Sequence, residues 1–360
     1  MVTELFLSLP IGAVSAAVVV FFLRIPRQSD SDGKSIFERI KQLDLWGACL
    51  LIPTVVCLLL ALQWGGAKYA WNSSRIIGLL VGFGCLATVF TITQIRSGDR
   101  GTLPPRILTQ RTVLAASCFA FMFGAGFFIL VFYLPIYFQA VKGVSATRSG
   151  IEVLPLMLSA VLSSIVTGGL ITVVGYYTPL VIFGAALFAI GAGLISTFTI
   201  TTPFARWFGY QVLTGAGVGF GFQIPIISVQ TVLPLDDIAV GTACVIFFQT
   251  LGGALFVSIG ETVFQNGVIS GTHRYVPSLD PKLLLSVGAT EIRNLLENIG
   301  KPDELQSVLQ AYMVGLVNVF KVSIAVIVTA WVCTLFLEWK SVKDEEAQRK
   351  KEAAAVANVV

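Results

Sequence analysis

Long, uninterrupted apolar runs are the feature that most restricts the fold of this chain. Nine such runs can be drawn, at approximately 5–23, 45–63, 76–95, 113–138, 151–174, 179–200, 208–233, 240–264 and 317–337. A membrane-spanning helix needs ~20 predominantly apolar residues. Hydrocarbon leaves only helices or closed barrels as spanning structures, and barrel strands are shorter and alternate apolar with polar residues. The runs therefore predict an all-α polytopic membrane protein with about nine transmembrane helices.

The composition excludes several other classes of protein. Hydrophobic residues make up 55% of the chain and charged residues 12%, whereas soluble domains carry about 25% charged residues. The mean hydropathy is +0.84. The net charge of +4 comes without a basic patch that has interleaved aromatics, which argues against nucleic acid as a partner. The six cysteines lie in apolar runs without a CxxC, His273 is the single histidine, and no catalytic constellation is visible, so we expect no metal site, cofactor or enzyme activity.

Basic residues indicate how the chain is oriented in the membrane. Lysine and arginine concentrate in the loops 24–43 and 96–112 and in the tail 339–360. Because cytosolic loops carry the excess of basic residues, the N-terminus is predicted outside and the C-terminus in the cytosol. The polar region 265–316 then lies outside, where we expect LLLSVGATEIRNLLENIG and PDELQSVLQAYMVGLV to form short amphipathic helices.

A glycine-rich stretch, GAGVGFGFQIPIISVQ, occupies residues 215–230. It does not fit a dinucleotide fingerprint, because Phe220 and Phe222 stand where the third glycine of GxGxxG belongs and the context is an apolar run. As one continuous helix, it presents two opposite ridges. Gly215 and Gly219 lead into Gln223 and Gln230 on one face, and Gly217 and Gly221 share the other. Small residues at this spacing let helices approach closely in lipid.

Three glutamines within the runs are candidates for the wall of a substrate cavity: Gln223, Gln230 and Gln249. An amide in hydrocarbon is costly unless it meets protein or water. Two interpretations remain open, either satisfied glutamines at a helix contact or a polar face along a transport path. On the eighth run, Gly253 extends the stripe of Gln249 and is a further packing candidate, and Phe247 and Phe248 are candidates for the apolar part of the cavity wall.

Two carboxylates lie inside the runs, Glu152 and Glu261, both near predicted outer ends. Carboxylates that face a cavity within the membrane commonly mark proton or ion pathways. Both residues are therefore candidates for proton coupling, and an interfacial position without such a role is the alternative.

Several of these segments resemble a known family. FYLPIYFQAVKGVSATRSGIEVLPLML (132–158), GYQVLTGAGVGFGFQIPIISVQTVLP (209–234) and GTACVIFFQTLGGALFVSIGETVFQN (241–266) are similar to spans of the fourteen-span drug:proton antiporters of the major facilitator superfamily. LPPRILTQRT (103–112) resembles the cytosolic loop before the C-terminal half of that family, and SLPIGAVSAAVVVFFL (8–23) its sixth span. The fungal multidrug and secondary-metabolite exporters are the most similar in character.

The resemblance implies a partial major-facilitator fold that lacks the first five spans of the family. It assigns residues 1–23 to the last span of the N-terminal half, 24–43 to a cytosolic loop and 44–95 to two inserted spans. The remaining parts are a cytosolic loop at 96–112, a C-terminal six-helix half at 113–338 with its outer loop 265–316, and a cytosolic tail at 339–360.

The function that the resemblance implies is proton-coupled efflux of drugs, toxins or other small amphipathic molecules by alternating access. The expected partners are the lipid bilayer, a small-molecule substrate and protons, with the plasma membrane as the expected location and a vacuolar or vesicle membrane as the alternative. One departure is the turn 168–179, which lacks the basic residue that relatives often carry. The competing hypothesis is a membrane protein that does not transport, either a truncated product or an interaction partner for another chain.

Overall fold

The computed structural model describes residues 44–66, 69–345, 347–348 and 351, together with residues 12 and 17–19. The apolar run 5–23, apart from those four residues, and the loop 24–43 therefore lie outside the described residues, as does the end of the tail. Asp44–Val360 forms one compact unit. Its described residues fold into helices and short connections, which confirms the all-α prediction for this part of the chain.

Twelve α-helices are described in this unit, and we number them in chain order. They are α1 (Leu45–Trp64), α2 (Ser74–Ser97), α3 (Pro105–Leu108), α4 (Arg111–Ile136), α5 (Ala146–Val174), α6 (Thr178–Ile195), α7 (Phe204–Gly221), α8 (Ile224–Val232), α9 (Ile238–Tyr275), α10 (Pro281–Ser286), α11 (Ile292–Asn298) and α12 (Leu305–Thr334). Eight helical segments of the described part are long and apolar enough to cross a membrane. These are α1, α2, α4, α5, α6, the α7–α8 pair, α9 and α12.

The carboxylate of Asp44, just before α1, holds the α1–α2 hairpin to the loop that follows α2. Asp44 caps α1 by accepting a hydrogen bond from the backbone N–H of Gly47, at 2.8 Å. Its other oxygen accepts from the side-chain amide of Gln94 on α2, at 2.7 Å, and from the backbone N–H and hydroxyl of Thr102. Burial alone raises the pKa of Asp44, but these hydrogen bonds outweigh it and hold the pKa below the usual 3.8.

Replacement of this carboxylate should loosen the hairpin from the loop that follows it. We expect Asp44→Ala to cost about 1–2 kcal/mol, because a helix cap and the donors from Gln94 and Thr102 lose their acceptor. Limited proteolysis of the loop 98–104 should become faster, whereas Asp99→Ala, a change of the same type at an exposed site in that loop, should leave the rate nearly unchanged. Because the pKa is lowered on folding, this stabilisation is present above about pH 4 and is lost as the pH falls further.

The six spanning segments after α2 pack into one bundle. α4 lies against α9, α12 and α8, while α7 lies between α5 and α6, and α6 reaches α12. The core contains a run of ring contacts from α4 to α6, in which Phe123 lies 4.9 Å from both Phe119 and Phe188 between ring centroids. The bundle is therefore built around α4 and the α7–α8 pair, the spanning segments with the largest buried share.

Two helices extend well beyond the apolar runs that predict them. α9 continues to Tyr275, and α12 begins at Leu305 rather than near 317, so that PDELQSVLQAYMVGLV is the start of a spanning helix and not a separate amphipathic helix. The other stretch forms the short helices α10 and α11. The difference has a physical reason. Once outside the hydrocarbon, a helix needs only one apolar face, so hydropathy marks where the bilayer ends rather than where the helix ends.

The seventh run is not one continuous helix, contrary to the prediction. α7 ends at Gly221 and α8 starts at Ile224, with bends at Phe222 and Gln223 between them. Pro225 explains the break, because proline lacks a backbone N–H and its ring clashes with the carbonyl four residues earlier, here that of Gly221. The faces calculated for a continuous helix therefore apply to α7 itself, which ends at Gly221.

Two sets of contacts tie together the helix ends on the side of the bundle where α4 begins. Arg106 bridges its own loop to the α8–α9 connection, with 2.9 Å from its guanidinium to Asp99 and 2.9 Å to Asp237. The segment after α12 crosses the α5–α6 turn, where the backbone N–H of Val342 donates to the carbonyl of Gly175 at 2.8 Å. Beside it, the Lys343 amine donates to the carbonyl of Val173 at 2.7 Å. The turn that lacks a basic residue of its own thus receives one from the tail.

Candidate functional site

The glycines of α7 allow it to lie between two other helices at backbone contact. A Cβ on Gly219 would come within 2.7 Å of the Ser163 Cβ on α5, and one on Gly215 within 2.9 Å of the Ser159 Cβ. On the opposite face, a Cβ on Gly217 would lie 2.6 Å from the Phe188 Cα on α6, and Gly221 faces the ring of Phe123 on α4. The glycines that the sequence divides between two ridges are thus placed against different helices.

The break after α7 opens into a cleft between α4, α5 and α7. Gln223 is exposed at the break and lines this cleft, which has a volume of about 320 Å³. Most of the remaining wall is apolar, with Phe127 from α4, Met157 from α5 and Phe222 from the break itself, while Ser164 adds a hydroxyl. A largely apolar cleft with a few polar groups is the usual form of a small-molecule site, and this one is at the small end of the usual range.

A row of aromatic rings leads from this cleft across α4 towards α9. Phe222 and Phe127 meet at 5.3 Å between ring centroids in a T-shaped arrangement, and Phe127 and Phe128 meet at 5.4 Å. Phe128 in turn lies against Gly253 of α9, where a Cβ would be 2.8 Å from the Cγ of Phe128. Gly253, predicted as a packing residue, therefore makes room for the last ring of this row.

Gln249 has a different environment from Gln223. It is buried at the crossing of α4 and α9, with Gly124 against its backbone, and its side-chain Nε2 has no hydrogen-bond partner among the described residues. Its neighbours Phe247 and Phe248 are half-buried and pack together in a T-shape at 5.4 Å. Gln230 is exposed on α8. The structure therefore places Gln223 in a cleft and Gln249 in a helix contact. The two residues lie on different elements and do not share a site.

The two carboxylate candidates also differ in their surroundings. The side chain of Glu152 on α5 pairs with Arg148 one turn earlier, at 3.3 Å, and its backbone carbonyl accepts from the Gln211 amide at 3.0 Å. Glu261 on α9 accepts hydrogen bonds from neutral groups, the Tyr133 hydroxyl at 3.3 Å and the Gln265 amide at 2.6 Å. Among the described residues, Glu261 forms no ion pair. Glu152 thus has a cationic partner, whereas Glu261 is held by groups that do not compensate its charge.

Comparison with known proteins identifies what this bundle is similar to. The chain is 46% identical over 343 residues to the MFS-type efflux pump MFS1 of Arthroderma benhamiae, an alignment that covers 95% of this chain and 63% of that protein. The chain is homologous to fungal MFS-type efflux pumps. Identity is 42% with the efflux pump roqT of Penicillium rubens, over 94% of this chain and 62% of the pump. Identity is 38% with the efflux pump aflT of Aspergillus parasiticus, over 94% of this chain and 65% of that pump.

These comparisons confirm the resemblance to the major facilitator superfamily on which the sequence interpretation rests. The chain spans less than two thirds of the length of the curated relatives it matches, between 60% and 65% for those compared. No family model matches the chain. The homology covers all the elements that form the cleft, since it extends over about 95% of this chain.

Sequence reasoning did not find the aromatic wall of the cleft. Phe127, Phe128 and Phe222 are the residues that connect the break in the seventh run to α9, and the sequence singled out Phe247 and Phe248 instead. The signal that was available is Pro225, because a proline inside an apolar run weakens the helix before it. It does not suffice alone, since Pro53 and Pro155 lie inside continuous helices of this chain. The positions of Phe127 and Phe128 depend on how α4 packs, which no local pattern reveals.

Proposed function

We propose that this protein exports small amphipathic molecules across a membrane, with the cleft at the α7–α8 break as part of the substrate site. The observation that carries the proposal is the exposed Gln223 at an interrupted spanning helix, opposite the rings of Phe127 and Phe222. Interrupted helices are recurrent sites of substrate binding in secondary transporters. Homology to proteins named efflux pumps supports the same function.

The cleft has the chemistry that an amphipathic substrate requires. The faces and edges of the two phenylalanine rings provide apolar contact area, and the amide of Gln223 donates and accepts hydrogen bonds. The mechanism would be alternating access, in which the six-segment bundle moves as a body and exposes the cleft to one side of the membrane at a time. The close glycine contacts of α7 with α5 and α6 keep the break and the cleft together during such a movement.

For energy coupling, we favour Glu261 over Glu152. A residue that carries a proton has to exist in both its charged and its neutral form, and a permanent cationic partner opposes the neutral form. Arg148 provides such a partner for Glu152, whereas Tyr133 and Gln265 hold Glu261 through neutral donors. Glu261 lies 23 residues after the start of α9, or about 35 Å along the helix. This position is near the outer side, where a carboxylate can exchange protons with the exterior.

An efflux assay tests the cleft. In cells that express the full-length protein, we expect Gln223→Leu to raise the KM for an amphipathic dye with hydrogen-bonding groups by about five- to tenfold, because one buried hydrogen bond is worth ~1 kcal/mol. Phe127→Ala should raise the KM of purely apolar dyes as well. Leu162→Ala, at an exposed position of α5 outside the cleft, is the matched control and should leave KM unchanged.

Two results would contradict this proposal in different ways. Unchanged KM values in both cleft variants would remove the cleft from the substrate path but leave export intact. Absence of dye export by the unmodified protein, purified and reconstituted in proteoliposomes with an imposed proton gradient, would contradict export itself. The second result would favour the alternative of a membrane protein that does not transport.

A further inference from the structure

A second cavity lies away from the cleft, on the outer half of α12. It has a volume of about 560 Å³ and is enclosed by one face of α12, the connection between α6 and α7, and the end of α9 at Tyr275. Its polar groups are Gln306, Gln310, Asn318 and Lys321 of α12 and two threonines of the α6–α7 connection. None of the residues that line the cleft at Gln223 takes part in it.

Lys321 is the unusual member of this cavity. It lies 13 positions before Thr334, at the predicted cytosolic end of α12, or about 20 Å of helix, and a bilayer has ~30 Å of hydrocarbon. Lys321 therefore lies within the outer half of the membrane, and its side chain is long enough to reach towards the outer interface. It is exposed, and among the described residues no carboxylate pairs with it. An ammonium group at this depth is costly unless water or an anion accompanies it.

The face of α12 that carries Lys321 changes character along its length. Above Lys321 the face lines the cavity and is mixed, with the amides of Gln310 and Asn318 beside apolar residues such as Val314 and Val317. Below it, residues at helical spacing are exposed and apolar, namely Ala325, Val328 and Val332. This lower half is an exposed apolar stripe on a spanning helix, which is the kind of surface that contacts lipid chains in a membrane. One helix face thus offers a cation and amides above an apolar strip, which matches the order of headgroup and acyl chain in a lipid.

Two other basic residues lie near the cavity, and neither replaces Lys321 as the partner of a bound anion. Lys142 is already occupied, since its amine donates to the carbonyl oxygens of Ile200 and Thr202 at 2.9 and 2.7 Å, and burial lowers its pKa. Arg274 stands at the outer end of α9, with its guanidinium 5.5 Å from the centre of the Tyr275 ring that lines the cavity. The cavity therefore has positive charge at its floor and beside its mouth, and its described lining contains no acidic residue.

We propose that this cavity binds the phosphate of a membrane phospholipid, with Lys321 as counter-ion, Asn318 and Gln310 as hydrogen-bond donors, and one acyl chain along Ala325 and Val328. The phosphate removes the cost of the uncompensated ammonium, and the amides satisfy its remaining oxygens. The site is separate from the substrate cleft, so the proposal does not depend on which molecule is exported.

Photochemical labelling of the purified full chain in nanodiscs tests the site. The probe is a diacyl phosphatidylethanolamine whose headgroup nitrogen carries a diazirine, and labelled peptides are located by mass spectrometry. We expect labelling in the segments 196–203 and 306–321, and a decrease of about fivefold in Lys321→Gln, because one basic residue near the membrane surface contributes about that factor. Lys321→Arg keeps the charge and should retain labelling, and Lys282→Gln, an exposed lysine of α10 outside the cavity, is the matched control.

Two results would overturn the proposal. Labelling of these segments that is equal in the unmodified protein and in Lys321→Gln would show that the lysine does not bind the headgroup. A long-chain fatty acid with the same diazirine provides a second arm. If this carboxylate probe labels the segments in a way that depends on Lys321 and the phospholipid probe does not, the occupant is a free carboxylate and not a phospholipid.

Discussion

Gly217→Leu should cause a large loss of folded protein. The Gly217 Cα lies against the backbone of α6, and a Cβ there would be 2.6 Å from the Phe188 Cα and 2.9 Å from the Gly184 carbonyl oxygen. Because these neighbours are backbone atoms, a whole helix has to move. Overpacking of this kind costs about 1–3 kcal/mol and more where the backbone cannot adjust. We expect the Tm of the purified protein to fall by roughly 5–10 °C, with aggregation on size-exclusion chromatography.

The same helix offers a matched control for this prediction. Gly209 lies on α7 at an exposed position, and a Cβ there would meet no atom within 4 Å. Gly209→Leu is therefore the same chemical change in the same element without the helix contact, and it should leave Tm within about 2 °C of the unmodified protein. Equal effects of the two changes would mean that α7 is sensitive to leucine in general, and the interpretation of α7 as a helix held between α5 and α6 at backbone contact would fail.

The second large effect is expected for Glu261→Gln, in transport rather than in stability. The amide keeps the size of the side chain and can still meet Tyr133 and Gln265, but it cannot carry a proton. In proteoliposomes we expect export driven by a proton gradient to fall to the level measured without a gradient. Downhill movement of the dye, which needs no coupling, should continue.

The matched change at the other carboxylate separates coupling from a general electrostatic effect. Glu152→Gln removes a carboxylate that is paired with Arg148 on the protein exterior, and we expect gradient-driven export to remain within about twofold, since exposed ion pairs contribute little. If Glu152→Gln abolishes gradient-driven export while Glu261→Gln retains it, the assignment has to be reversed. Tyr133→Phe should give an intermediate rate, because it removes one donor to Glu261 and leaves the carboxylate.

The sequence predicts the spanning helices well and their ends less well, for a physical reason. The runs 45–63 and 151–174 coincide closely with α1 and with most of α5, since hydrocarbon demands apolar residues throughout a span. Outside the bilayer that demand ends. The first dozen residues of α12 and the last dozen of α9 therefore alternate polar and apolar residues like a soluble helix, and their continuity with the spans is decided by packing around Phe264 and Tyr312.

The candidate site shows that the surroundings of a side chain are harder to predict from sequence than a spanning helix. Gln223 and Gln249 look equivalent in sequence, as single amides on faces of small residues, yet one is exposed in a cleft and the other is buried against Gly124. Pro225, two residues after Gln223, is a local difference between the two, and the helix is interrupted at Phe222 and Gln223. Nothing local to Gln249 reveals that α4 carries a glycine opposite it, since that pairing joins positions more than a hundred residues apart.

The crossing of the tail over the α5–α6 turn has a practical consequence for work on this protein. The tail's carbonyl at Glu338 accepts hydrogen bonds from Tyr177 and Thr178, and Lys343 reaches Val173, so the residues just after the last span behave as part of the folded body. A fluorescent reporter or affinity tag joined directly after α12 would replace these contacts, whereas one joined after residue 351 leaves them intact.

The tail also shows that a charge missing from a loop can be contributed by a distant part of the chain. Comparing loops one at a time therefore underestimates how similar two transporters are.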